Sequence, residues 1–273
     1  MPKKTKKFIA GGCSFTWGHE LSDDNEGRNP SCKSWAYLLK DMGYLQPSDR
    51  YVCAAWPGSG NSGIARRVFN AIHQGGIDLN SGVVVMWSFI SRYDWAMSRH
   101  KKLEDTRWAT ISPWDTSMAE YERQQGLLGS EVQQLHWDNR DKINQETKVK
   151  DFAEAIYRHG ANQYHEIYLS WKSIIWLQEI LKKHKIPYMF TLADNSLFWN
   201  EFTPHKDTDN FLASMHKEID FTKWFTFGER DMGFNQWAML NDYERGTTHP
   251  LDKAHKDAVK LMKHTFFKLI GEK

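Results

Sequence analysis

Two residue types at opposite ends of this 273-residue chain can together do nucleophilic chemistry. Ser14 follows the apolar run Phe8-Ile9-Ala10 and the pair Gly11-Gly12, so a short buried strand ends in a sharp turn that presents Cys13 and Ser14. Ligands of open α/β sheets bind beyond the carboxyl ends of the strands, which makes that turn a place for a nucleophile or simply a tight turn whose serine caps the next segment. His249 stands before Pro250 and the last helical pattern, so it projects from a loop and can serve Ser14 as a base. His255 lies six residues further on, inside the helical register, a spacing that does not place two metal ligands on one helix face.

A third motif, Gly58-Ser59-Gly60-Asn61-Ser62-Gly63, matches G-x-G-x-x-G after a strand and before a helix. It follows the second strand instead of the first, and the next strand ends in Trp87-Ser88 without the acidic residue a ribose would need, so the dinucleotide reading is weak. The glycines still bring backbone N–H groups to the strand ends, where negative charge is stabilised.

The elements that must position these residues alternate. Strands are expected at Phe8 to Ala10, Arg50 to Trp56, Gly82 to Ser88 and Tyr188 to Ala193. A polar loop, Gly18 to Ser34, carries His19, Asp23, Asp24 and Glu26. Helices follow: one with Trp35, Leu38, Leu39 and Met42 at helical spacing, capped by Ser34 and closed by Gly43. A second has Ile64, Val68, Phe69 and Ile72 and stops at Gly75-Gly76. A third runs from Asp151 to Lys185 with Tyr164, Ile167, Tyr168, Trp171, Ile174, Ile175 and Leu181 on one side and a break at Gly160. The last has a stripe of Ala258, Leu261, Met262, Thr265, Phe266 and Leu269. This order predicts one α/β domain with a mainly parallel sheet covered on both faces. From Phe89 to about Lys150 the periodicity fades, which predicts an aromatic-rich insertion, either an elaborated loop or a small cap over the site.

Composition narrows the partners. Lys and Arg number 36 against 34 Asp and Glu, a formal charge of +2, which is no polycation for nucleic acid. The lysines of Met1-Pro2-Lys3-Lys4-Thr5-Lys6-Lys7 read as a solvated lead-in to the first strand. Three cysteines, Cys13, Cys32 and Cys53, lack C-x-x-C spacing, which argues against a disulfide framework. With no signal-peptide core or membrane-spanning run, a cytoplasmic protein without a membrane partner is expected, release by lysis aside. The 13 tryptophans are unusual, and Trp95, Trp108, Trp114, Trp137 and Trp199 stand in polar surroundings that suit sugars, flat ligands or packing of long loops.

Taken in order, Gly12-Cys13-Ser14-Phe15-Thr16, Gly58 to Asn61 and Thr248-His249-Pro250-Leu251-Asp252-Lys253-Ala254-His255 resemble the SGNH, or GDSL-like, hydrolase family, in a divergent form similar to phage and marine-bacterial members. The resemblance implies a flavodoxin-like three-layer α/β/α sandwich with Ser14 as nucleophile and His249 as base. It implies an oxyanion hole from the Ser14 N–H, Gly58 or Gly60, and an asparagine side chain, and no metal or organic cofactor. The reaction would be ester hydrolysis through an acyl-enzyme, often deacetylation of a carbohydrate.

Cys13 replaces the acid that the family places before the serine, and Gly246 replaces the acid three residues before the histidine, so Asp242, Glu244, Asp252 or a backbone carbonyl is expected to orient His249. The G-x-N-D pattern after the third strand is absent, which leaves Asn61 or Ser88 as the third oxyanion donor. Trp17, Trp87 and Arg92, beside these motifs, are the expected substrate contacts. The competing readings are an SGNH-like protein that lost its chemistry and binds glycans or serves assembly, and an acyltransferase on the same scaffold. If the chain comes from a phage, association with the virion is a further expectation.

Overall fold

A continuous Val-rich segment between turn residues needs cover on both faces, and the computed structural model gives the third strand that cover. Residues 6–25, 27–42, 49–74, 81–98, 106–116, 149–198 and 210–271 are described. Gly43, Gly75, Gly76, Trp137 and Trp199 lie outside them, as do the lysines before Lys6.

Four parallel strands form the central sheet: β1 (Lys7–Gly11), β2 (Arg50–Cys53), β3 (Ser81–Trp87) and, after two further strands, β6 (Tyr188–Leu192). Their order is β2-β1-β3-β6, with Ile9 opposite both Val52 and Val83, and Val85 opposite Phe190. The second strand is shorter than the apolar run suggested. It ends at Cys53, and a turn closed by the Ser59 amide on the Trp56 carbonyl (3.1 Å) takes the chain off the sheet.

Period-2 alternation splits the strands between two cores. Ile9, Val83, Val85, Trp87, Phe190 and Leu192 lie in one core with α3 (Asn61–His73), α5 (Gln163–Lys183) and α6 (Phe211–Lys217), whose Ile64, Val68, Ile72, Ile167, Trp171, Ile174, Leu181 and Leu212 complete it. Phe8, Ala10, Val84, Met86 and Met189 face α2 (Trp35–Asp41), α7 (Phe234–Leu240) and α8 (Asp252–Leu269) through Trp35, Leu39, Phe234, Ala258, Met262 and Phe266. The result is a three-layer α/β/α sandwich.

The break expected at Gly160 is present: α4 (Val149–Ala155) runs into a π turn at Ile156–Gly160, and Asn162 caps α5 by accepting from the His165 amide (2.9 Å). Other expectations are corrected. In α8 the buried stripe sits on Ala254, His255, Ala258, Val259, Met262 and Phe266, whereas Leu261 is exposed. Lys7 is buried, its ammonium donating to the carbonyls of Ala71 and Gln74 at the end of α3, so it is no solvated lysine. Within the aperiodic stretch an antiparallel hairpin appears, β4 (Tyr93–Ser98) with β5 (Thr106–Ile111). Tyr93 and Ile111 pack with Val149 and Ala153 of α4 in a small third core. Among the described residues, no helix is long and apolar enough to cross a membrane.

Candidate active site

Strand β1 delivers the site. Gly12, at φ +156°, sits where a Cβ would overlap Thr16 Oγ1, and this lets the chain turn directly from the strand into α1 (Ser14–Trp17). Ser14 is therefore the first helical residue, its amide has no intrahelical acceptor, and its hydroxyl meets an incoming side chain from the other end of the chain.

That side chain is His249. Its Nε2 lies 2.7 Å from Ser14 Oγ, and its Nδ1 lies 2.9 Å from Glu20 Oε2 and 2.8 Å from Thr248 Oγ1. Glu20 Oε2 also accepts the backbone N–H groups of Thr248 (3.1 Å) and His249 (2.9 Å). One carboxylate oxygen thus fixes both the loop and the imidazole it carries. With Nδ1–H donating to the carboxylate, Nε2 presents a lone pair to the Ser14 hydroxyl. His249 and Glu20 are both buried.

Electrostatics favour that arrangement at neutral pH. Burial pushes the His249 imidazole below its ordinary pKa, with Glu20 working against it, so the ring is neutral and able to take a proton. Burial alone would raise the Glu20 carboxyl, but the His249 hydrogen bond and charge and the two amides outweigh it and hold the group at about 2. Glu20 is ionised.

The carboxylate on His249 comes from Glu20 and not from Asp242, Glu244 or Asp252, the acids near it in the sequence. Asp252 accepts from the Ser22 amide (3.0 Å) and hydroxyl (2.6 Å) and pairs with Lys33 at 2.9 Å, which ties α8 to the loop after α1. Asp242, in a left-handed turn after α7, and Glu244 are exposed, and neither touches the ring. Glu20 reaches it because the loop after Ser14 folds back, with Glu20 itself at φ +69° and its amide donating to Asp24 Oδ2 (2.8 Å). Gly246 leaves the room: a Cβ there would stand 2.8 Å from Glu20 Oε2.

His255 is no partner of Ser14. It is fully buried, and its Nδ1 accepts the Trp35 amide (3.0 Å) at the start of α2. Burial lowers its pKa to about 3.

The expected oxyanion donors separate into two groups. Ser14 and Gly58 line the same cavity, and Gly58, at φ +80° in the turn after β2, makes no backbone hydrogen bond through its amide among the described residues. Asn61 is instead a buried clamp. Its Nδ2 donates to the Ser88 carbonyl (3.1 Å) and Ser170 Oγ (3.0 Å), while its Oδ1 accepts the Ser88 amide (2.8 Å). Ser88 is fully buried and its hydroxyl accepts from Arg92 (2.9 Å). A Cβ on Gly60 would overlap the Arg92 carbonyl, and one on Gly63 would touch Asp94 at 3.0 Å. The glycine motif therefore makes room for the segment after β3, and a dinucleotide phosphate finds no open helix start there.

Of the expected substrate contacts, Arg92 lines the cavity, whereas Trp87 is sealed in the core edge-on to Phe190 and Trp17 is buried against Trp56. The cavity holds about 410 Å³, walled by Phe15, Pro57, Phe89, Pro113 and Trp114, with His19, Asn235 and Thr247 adding polar groups. Among the described tryptophans of the inserted stretch, Trp114 shares this cavity with Ser14, whereas Trp95 and Trp108 are exposed on the hairpin, Arg66 lying over the Trp108 ring at 4.1 Å.

No family model matches the chain, and no curated protein matches it. Among solved structures, the chain is similar to a member of the lipolytic protein G-D-S-L family from Veillonella parvula, at 11% identity over 97% of this chain and 100% of the other, with a TM-score of 0.45. It is likewise similar to the psychrotrophic esterase EstA from Pseudoalteromonas (11% identity, 96% and 97% covered, TM-score 0.44) and to a carbohydrate acetylesterase family member from Sinorhizobium meliloti (11% identity, 98% and 100% covered, TM-score 0.43).

Proposed function

We propose that this protein is a serine ester hydrolase of SGNH type whose relay is Ser14, His249 and Glu20, acting on a small ester such as an acylated carbohydrate. The observation that carries the reading is the unbroken chain of contacts from Ser14 Oγ to His249 Nε2 (2.7 Å) and from Nδ1 to a buried, ionised carboxylate (2.9 Å), facing an apolar cavity.

The chemistry follows from the proton positions. Ser14 Oγ attacks the ester carbonyl carbon as its proton passes to His249 Nε2, and Glu20 stabilises the imidazolium. The carbonyl oxygen becomes an alkoxide that accepts hydrogen bonds from the backbone N–H groups of Ser14 and Gly58. Collapse breaks the bond to the leaving oxygen, which takes the proton from Nε2 and departs as the alcohol. Water, deprotonated by the same nitrogen, then attacks the acyl-serine; the acyl–Oγ bond breaks, Nε2 returns the proton to Ser14 Oγ, and the carboxylic acid leaves. Because the Asn61 amide is used in holding Ser88, the hole is one donor short of a three-donor site, a loss of about 10²–10³ in rate. A slow esterase is expected. The flat Trp114 ring and the apolar walls suit a sugar face and a short acyl chain.

Hydrolysis of 4-nitrophenyl acetate and of acetylated sugars by the wild-type protein, compared with Ser14→Ala, tests the reading. Turnover lost in the variant supports it. A folded wild-type protein with no turnover on any ester favours the glycan-binding or assembly alternative, and acyl transfer outrunning hydrolysis on adding acceptor alcohols favours the acyltransferase.

A further inference from the structure

Arg92 is placed in a way the hydrolytic relay does not use. It follows the end of β3 by five residues, lines the same cavity as Ser14 and His249, and has no carboxylate partner among the described residues. Among the described residues one of its five N–H groups is engaged, Nη1 donating to Ser88 Oγ (2.9 Å), and the guanidinium lies over the Phe89 ring, 4.6 Å from its centroid. Both contacts hold the planar group in one orientation while leaving donors for something else.

The backbone beneath it is equally fixed. Asn61 clamps both backbone groups of Ser88, the Tyr157 hydroxyl donates to the Ser91 carbonyl (2.6 Å), and Gly60 packs under the Arg92 carbonyl. The cavity's other formal charge, Glu20, is consumed by three N–H groups on the His249 loop. A fixed cation with spare donors between apolar walls is suited to an anion, and the guanidinium fork matches a carboxylate bidentately.

We propose that this site, read as the hydrolase above, takes esters that carry a carboxylate, with Arg92 as the group that selects them. The class comprises acylated acidic sugars and other carboxylate-bearing esters. A charge-assisted pair in such a setting predicts a preference of about 10- to 100-fold over a neutral isostere.

Benzoate and benzamide, nearly equal in shape and different in charge, are the probes. Their binding to the Ser14→Ala protein is followed by ligand-observed NMR, and their competition with 4-nitrophenyl acetate is measured on the wild type. Benzoate should bind at least tenfold tighter than benzamide, and in Arg92→Met the ratio should fall to about one; Arg92→Lys, which keeps the charge without the fork, should give an intermediate ratio and serves if the methionine variant does not fold. Equal binding of the two probes, or a preference that survives in Arg92→Met, overturns the proposal. So does loss of nitrophenyl acetate turnover in Arg92→Met with the binding ratio intact, since Arg92 would then be serving the oxyanion. Arg92-dependent benzoate binding without any ester turnover would leave the carboxylate site standing and remove the hydrolase reading.

Discussion

Replacing Glu20 by glutamine isolates what the buried carboxylate contributes. The substitution keeps the side chain's length, and its amide oxygen can stand where Oε2 accepts the amides of Thr248 and His249 and the imidazole Nδ1–H. What disappears is the charge. A neutral His249 in the resting enzyme gains little from that charge, whereas the imidazolium formed as Ser14 attacks gains a full ion pair. Two unit charges about 4 Å apart at an effective dielectric of about 20 attract by about 4 kcal/mol. At about 1.4 kcal/mol per tenfold, that is a loss of about 10³ in kcat. KM for 4-nitrophenyl acetate should change little, because the charge acts on the transition state and not on the bound ester. The assay is release of nitrophenolate over a range of substrate concentrations, with circular dichroism melting to show that the variant is folded. A kcat within tenfold of the wild type, or an effect confined to KM, would refute the role given to Glu20.

Three further outcomes follow from the same geometry. Gly246→Ala puts a methyl group 2.8 Å from Glu20 Oε2, so kcat should fall about 10- to 100-fold while the melting temperature changes little. His255→Ala removes the acceptor of the Trp35 amide and opens a cavity under α2, which should cost about 2–4 kcal/mol in denaturant unfolding while the folded protein keeps most of its activity. The pH dependence is fixed by two lowered pKa values. Since His249 must be neutral to accept a proton and its pKa lies below the ordinary 6.5, kcat/KM should be flat at neutral pH and fall only on the acid side of that value, and Glu20→Gln should move the limb further to acid. For Glu20, ionised down to about 2 when folded against 4.5 in the unfolded chain, the stability contribution is complete above pH 4.5 and is lost as pH falls toward 2, which acid titration of unfolding would register.

Some of this was legible in the sequence because the signals are local. The run into Gly11-Gly12, the β-branched β3 and the spacing of α2, α3 and α8 each encode an element through its own periodicity. The approach of His249 to Ser14 was readable because a His-Pro step before a helix places a side chain at a strand end. Glu20 was not, since its role depends on a loop that doubles back at a left-handed residue, and no periodicity reports such a fold-back. Asn61 and Trp87 misled for a related reason. Nearness to a motif in sequence does not set direction: Trp87 falls on the core-facing side of β3, and Asn61, in the first turn of α3, turns its amide inward onto Ser88. The β4–β5 hairpin escaped because Trp95 and Ala96 are exposed side by side, which erases the alternation of a half-buried strand.

The central claim is that Ser14 is an activated nucleophile. Incubation with a fluorophosphonate followed by peptide mass spectrometry should find one adduct, on Ser14, abolished in Ser14→Ala and formed far more slowly in His249→Ala. A folded wild-type protein that takes no adduct at Ser14, or takes it equally fast without His249, would contradict the account.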